Sequence, residues 1–179
     1  MAVRVVCLGN ELVSDDGIGI RVGRVLRALT LPDGVSVEMH PYVGIELLEL
    51  LHADEHLILV DATVTGAAPG TCRTLVVDEI EALAQRPVCC HGLGVAEVLA
   101  AARRLDPERV PLSVRLVGVE AQVLDRFGTA LSPALRDALP AAVHEVLRCL
   151  GADEALMQLG EREAERWKDW EPSPIESGQ

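Results

Sequence analysis

A chain of 179 residues is the size of one ordinary domain, able to bury roughly 70% of the surface its unfolded form exposes. Its net charge of −12 is spread without a basic block, which excludes the Lys/Arg clusters that a phosphate backbone demands, so no nucleic-acid partner is expected. Hydrophobic residues make up 49% but aromatics only 2%, so the core must be Val, Leu, Ala and Ile, a composition that suits helices on an aliphatic sheet.

Taken in chain order, the apolar runs predict strands over 3–8, 35–39, 56–60, 71–77 and 112–119. Between them, helical spacing predicts a helix over 16–29, with Ile18, Val22, Val25, Leu26 and Leu29 on one stripe. A short leucine-rich helix is expected over 44–51 and an apolar one over 93–105. A last helix over 132–150 opens with Ser132 as a cap and Pro133 at the first helical position. Strands alternating with helices require crossover connections, hence an α/β fold with an open, mostly parallel twisted sheet and helices on both faces. Leu57–Val60 is apolar throughout, the pattern of a central strand buried on both sides. From residue 151 the chain carries eight acidic and three basic residues and both tryptophans. Residues 1–150 are therefore read as the domain, and 151–179 as an acidic C-terminal extension, partly helical and then disordered. No apolar stretch approaches the ~20 residues of a membrane span, and no leader pattern precedes the first strand. Five cysteines without a paired framework fit a reducing, cytoplasmic setting.

The segment LGNELVSDDGIG, residues 8–19, follows the first strand and admits three readings. Dinucleotide binding needs G-x-G-x-x-G with amides open to a pyrophosphate. Here Asp15 and Asp16 occupy that place and would repel the phosphate, so no nucleotide is expected. A structural reading makes one aspartate, Asp15 the better placed, a helix cap. A metal reading starts from the rule that open parallel sheets bind ligands beyond the strand ends where the order reverses. If the order begins 2-1-3, Asp16 after the first strand and Asp61 after the third reach one crevice, and His91 enters from a loop before a helix. Two carboxylates and an imidazole suit a borderline divalent ion and leave coordination positions open. His40 follows the second strand on the same rim. Cys89 and Cys90, beside His91, read as interior or loop thiols, because adjacent side chains diverge and rarely reach one ion. No G-x-S-x-G elbow or other nucleophile signature is present.

Taken together, GNELVSDDGIG, GIELLELL, LILVDA, CHGLGVAEVL, VGVEAQ and LSPALRDALP resemble, in order, the hydrogenase maturation endopeptidases. The resemblance runs from residue 3 to about residue 148. It implies a three-layer α/β fold and a nickel-recognising site whose ligands fall on Asp16, Asp61 and His91, the residues also reached from topology. It implies an endopeptidase that trims the C-terminal extension from the large-subunit precursor of a nickel–iron hydrogenase. Three protein ligands at an open rim do not close a metal's shell, so the nickel is expected to arrive with that substrate. Asp16 and Asp15 then divide the work, the first facing the metal and the second holding the turn. Ala121 stands where many members have proline, and Cys89-Cys90 precede the histidine; neither departure removes a ligand. Two other functions fit the same residues: a non-catalytic nickel-checkpoint or binding protein, and a different metal-dependent hydrolase. Leu156, Leu159, Trp167 and Trp170 fall on one face of the extension, which reads either as a solvated, frayed tail or as a helix that docks on the precursor or on a second copy of the chain.

Overall fold

The computed structural model describes residues 2–41, 44–83 and 95–170. Five strands, β1 (Val3–Leu8), β2 (Val35–His40), β3 (His56–Thr63), β4 (Cys72–Val76) and β5 (Ser113–Glu120), form one sheet in the order β2-β1-β3-β5-β4. All neighbours are parallel except β4, which runs antiparallel to β5 at the edge. The helices are α1 (Ile18–Arg27), α2 (Val77–Leu83), α3 (Val95–Leu105), α4 (Pro133–Cys149) and α5 (Glu154–Trp167). The predicted 44–51 helix is a 3₁₀ turn over Ile45–Leu50, and the start of the 16–29 helix is a 3₁₀ turn over Ser14–Gly17.

Alternation along the strands builds two cores, one on each face. Val5 and Cys7 of β1, Ile58 and Val60 of β3, and Val117 and Val119 of β5 pack against α1 and α4. Their neighbours Val6, Leu8, Leu57, Leu59 and Leu116 face the opposite way, onto Leu47, Leu51, Ile80 and α3. The result is the three-layer arrangement expected, with the sheet buried on both sides. Among the described residues, no helix is long and apolar enough to cross a membrane.

Helix α2 is not anticipated by the sequence pattern, because the apolar run over 71–77 reads as one strand. Its start is fixed instead by Glu79, whose Oε2 accepts the Val76 N–H at 2.9 Å. The segment after residue 150 is helical over Glu154–Trp167 and lies on α4 and α1. Asp153 caps it, accepting the Leu156 N–H at 2.9 Å. Ala164 and Gly160 are buried, and Leu156, Met157 and Trp167 pack against the α1/α4 core. Gly160 allows the close approach, since a Cβ there would stand 2.5 Å from Leu147 Cδ1. The expectation of disorder at the end of the chain falls on residues 171–179, outside the described residues.

Candidate active site

The site follows from where β1 and β3 part. Their pairing ends at Cys7↔Val60, while β3 continues along β5 through Asp61↔Gly118, Ala62↔Val119 and Thr63↔Glu120. Asp61 is therefore inside β3 and not just beyond it, as the apolar run alone suggested. Its β1 side has lost its partner strand, and its β5 neighbour is a glycine. The strand order reverses there, β1 being followed outward by β2 and β3 by β5, and such a reversal is where open α/β sheets form a ligand-binding crevice.

Asp16 reaches the same crevice from β1. Gly9 turns the chain with φ +132°, a region closed to other residues in practice, and a Cβ there would stand 1.9 Å from the Asp16 carbonyl oxygen. Gly19 lets the first turn of α1 rest on both strand ends: a Cβ would fall 2.1 Å from the Leu8 carbonyl and 2.6 Å from that of Val60. These glycines thus serve close backbone packing within the chain, not a phosphate. Asp16 itself is buried, and its Oδ2 accepts the Asn10 N–H at 2.8 Å.

Two carboxylates brought into one crevice raise each other's cost of ionisation. Burial pushes the Asp61 carboxyl up to about 7, the Asp16 charge pushes it further in the same direction, and the Ala62 N–H offsets only part. A cation between them would relieve this repulsion. Among the described residues, no three ligating side chains converge on one point. His91, the third expected ligand, lies outside the described residues, as do Cys89 and Cys90. His40 ends β2, on the far side of β1 from the crevice, with Nε2 3.2 Å from Glu38.

Asp15 has a different duty from the cap expected of it. Neither the 3₁₀ turn nor α1 has a side-chain cap. The fully buried Asp15 accepts N–H groups from Gln122 at 2.9 Å, Val123 at 2.7 Å and Ser132 at 2.6 Å. It fastens the loop after β5 to the loop after β1, and the Ser132 N–H is spent on it at the start of α4. Backbone pairs reinforce the junction: Ser14 N–H donates to Gly128 at 2.7 Å and Gly128 N–H to Leu12 at 3.0 Å. Ser14, at φ +44°, is held in this left-handed conformation by that bond and by its hydroxyl donating to Ala130 at 2.9 Å.

Glu120, which the sequence pattern marks without giving a role, closes β5 and gathers the loop after β3. Its carboxylate accepts N–H groups from Thr65, Gly66 and Ala67 at 2.7, 2.7 and 3.1 Å, and the Thr65 hydroxyl at 2.8 Å. The signal for this was its register opposite Thr63, which appears only once the strands are paired. Glu46 has a local job, accepting the Gly44 N–H at 3.2 Å. The Cys7 and Cys72 thiols are poor nucleophile candidates, since burial pushes both up to about 12 and leaves them protonated at neutral pH.

Comparison with known proteins agrees with this architecture. A family model described as hydrogenase maturation protease matches residues 42–149. The hydrogenase 2 maturation protease of Escherichia coli is 34% identical over 152 residues, spanning 84% of this chain and 91% of that one. A hydrogenase expression/formation protein of Azotobacter vinelandii is 30% identical over 173 residues, 96% of this chain and 81% of the relative. Among solved structures, the hydrogenase-maturating endopeptidase of E. coli superposes with a TM-score of 0.74 over 84% of this chain and 93% of its own. A nickel–iron hydrogenase maturation protease of Thermococcus kodakarensis, 25% identical, gives 0.66 over 84% and 99%.

Proposed function

The chain belongs to the hydrogenase maturation protease family, and from that premise we propose that it removes the C-terminal extension of a nickel-loaded hydrogenase large-subunit precursor. The observation that carries the reading is the carboxylate pair at the mouth of the β1/β3 crevice, where Asp61 is driven up to about 7 by burial and by Asp16. Such a pair favours a cation over a second negative charge, and its oxygens with the His91 imidazole make a donor set that fits a borderline divalent ion. Three ligands do not close a shell, so the ion is held fully only when the precursor supplies the rest.

The residues of this chain then have separate tasks. Asp16, oriented by the Asn10 N–H, and Asp61, oriented by the Ala62 N–H, bind the charge that the precursor brings. Asp61 gives up its proton as it does so, which ties binding to pH. Asp15 and Glu120 hold the loops that border the crevice, so the scissile segment meets a preformed wall. When bound, the nickel ion supplies a cationic centre that polarises the peptide carbonyl beside it.

The raised carboxyl of Asp61 also favours a second reading, an aspartic-type reaction in which Asp61 and Asp16 share a proton and work as acid and base on water. Cleavage of three precursor forms, nickel-loaded, zinc-loaded and metal-free, followed by mass, separates the two. The metal-dependent reading expects cleavage of the nickel-loaded form alone. Cutting of the metal-free form by metal-free enzyme selects the aspartic-type reading, and binding of nickel-loaded precursor without cleavage selects a checkpoint protein.

A further inference from the structure

We infer that Leu12 and Phe127 form an apolar docking lip for the precursor polypeptide, an inference that rests on the proposed protease function. The chain has a single phenylalanine, and it is 93% exposed, in the loop after β5. Leu12, in the loop after β1, is 58% exposed. The two backbone segments that carry them are paired by the Val13↔Gly128 bridge and the bond from Gly128 N–H to the Leu12 carbonyl at 3.0 Å. That junction is held by the buried Asp15 and by Ser14, so the lip is built on a loop contact fastened by several hydrogen bonds.

Its position ties it to the reaction. Asp16 N–H donates to the Val13 carbonyl at 3.0 Å, one residue from Leu12. Exposed Ile45 and Val64 stand in the loops that follow β2 and β3, at the same end of the sheet. An aromatic side chain kept almost wholly in water, in a chain this poor in aromatics, is out of place on an idle surface and is favoured at the centre of an interface.

Charge narrows the occupant. In the loops 9–17, 44–50, 61–71 and 120–131, carboxylates far outnumber the one cation, Arg126, and Glu11 among them is forked by a guanidinium from the adjoining helix, that of Arg24. An apolar lip beside an acidic crevice fits a polypeptide segment that presents an apolar side chain next to positive charge. A second copy of this chain, at net −12, would bring like charge to that rim. The occupant is therefore the precursor segment bordering the cleaved bond, its apolar side chain on Phe127 and Leu12 and its positive centre at the carboxylates.

The experiment compares wild type, the double variant Leu12→Ser/Phe127→Ser and a control, Leu105→Ser. Leu105 is 78% exposed at the end of α3, in the connection that enters β5 at the opposite end of the sheet. Binding of nickel-loaded precursor is measured by titration, cleavage by single-turnover kinetics, folding by melting temperature, and oligomeric state by sedimentation. The double variant is expected to weaken precursor binding by roughly 10- to 100-fold, since two interface anchors are truncated. It should cleave at the wild-type rate once saturated and melt at the wild-type temperature, and Leu105→Ser should match wild type throughout. Unchanged binding by the double variant, with wild type active, overturns the lip and leaves the protease reading standing. An equal loss in Leu105→Ser, or a wild-type dimer that the double variant dissociates without changing precursor affinity, also overturns it. A wild type that neither binds nor cleaves any precursor form overturns both.

Discussion

Replacing Asp61 by asparagine should make the protein more stable while making it inactive. In the fold the Asp61 carboxyl is raised from 3.8 to about 7, first by burial and then by Asp16. An unfolded chain gives up that proton near pH 4, whereas the folded chain keeps it to about pH 7, so between these values the unfolded state binds fewer protons and stability falls as pH rises. The contribution is fully present below about pH 4 and lost above about pH 7. At 1.36 kcal/mol per unit the whole shift corresponds to about 4 kcal/mol, and about 2–3 kcal/mol of it falls between pH 5 and pH 8. Asparagine keeps the Ala62 N–H bond through its own carbonyl oxygen and carries no charge, so the variant loses this pH-dependent penalty. Urea unfolding followed by circular dichroism at pH 5 and pH 8 reads the difference directly. The gap between variant and wild type should widen toward pH 8 by roughly 1 M in the urea midpoint. Parallel pH dependence in the two proteins would refute the claim that Asp61 is held in a desolvated crevice beside the Asp16 carboxylate.

The other predictions concern neighbouring residues. Asp15→Asn should lower the melting temperature by roughly 10 °C, because an amide presents one acceptor oxygen where three buried N–H groups need a carboxylate, a cost of about 2–4 kcal/mol. Asp15→Asn melting like wild type would return the residue to a dispensable role. Asp16→Ala and His91→Ala should each abolish cleavage of nickel-loaded precursor in a protein that remains folded by circular dichroism; measurable turnover in either removes that residue from the ligand set. Truncation after residue 150 should lower stability by several kcal/mol in urea titration, since it uncovers Val143 and Leu147 and strips Arg21 of its carbonyl partners at Trp167 and Trp170. A truncated chain as stable as the whole would mean that α5 rests on the surface without supporting it.

The sheet was legible because its signal is periodicity. Five apolar runs fall on five strands, with ends displaced by at most a few residues, and the largest displacement is the informative one. The apolar run of β3 stops at Val60, yet the strand continues to Thr63, because β5 goes on pairing where β1 has turned away. Polar residues at a strand end look like loop in sequence; only the partner strand reveals that Asp61 is held by a ladder and is thus fixed in direction. The carboxylates of the crevice were legible by the same topological logic, since Asp61 directly follows the apolar run of β3 and Asp16 lies in the turn that follows the apolar run of β1. What was not legible is long-range polar accounting. Asp15 and Glu120 look like a cap and a motif letter, and their partners lie 107 and 55 residues away. Nothing in local spacing encodes such a pairing.

The division of the chain at residue 150 shows the same limit for packing. Composition sets the acidic segment apart, because only a narrow stripe of α5 is buried while the rest is solvated. Yet the segment that ends α5 reaches the loop carrying Asp16 by a connected path. The Trp170 ring lies 4.7 Å from the Arg21 guanidinium and 4.6 Å from that of Arg24. Arg24 in turn forks onto Glu11 at 3.0 and 2.7 Å, within the turn that carries Asp16. Arg21, almost wholly buried, donates to the carbonyls of Trp167, Trp170 and Thr129, the last beside the Gly128 junction. A guanidinium buried at that depth demands several acceptors, and the end of the chain supplies two of them. The acidic extension is therefore part of what holds the loops after β1 and β5, and its tryptophans are accounted for by α1 of the same chain.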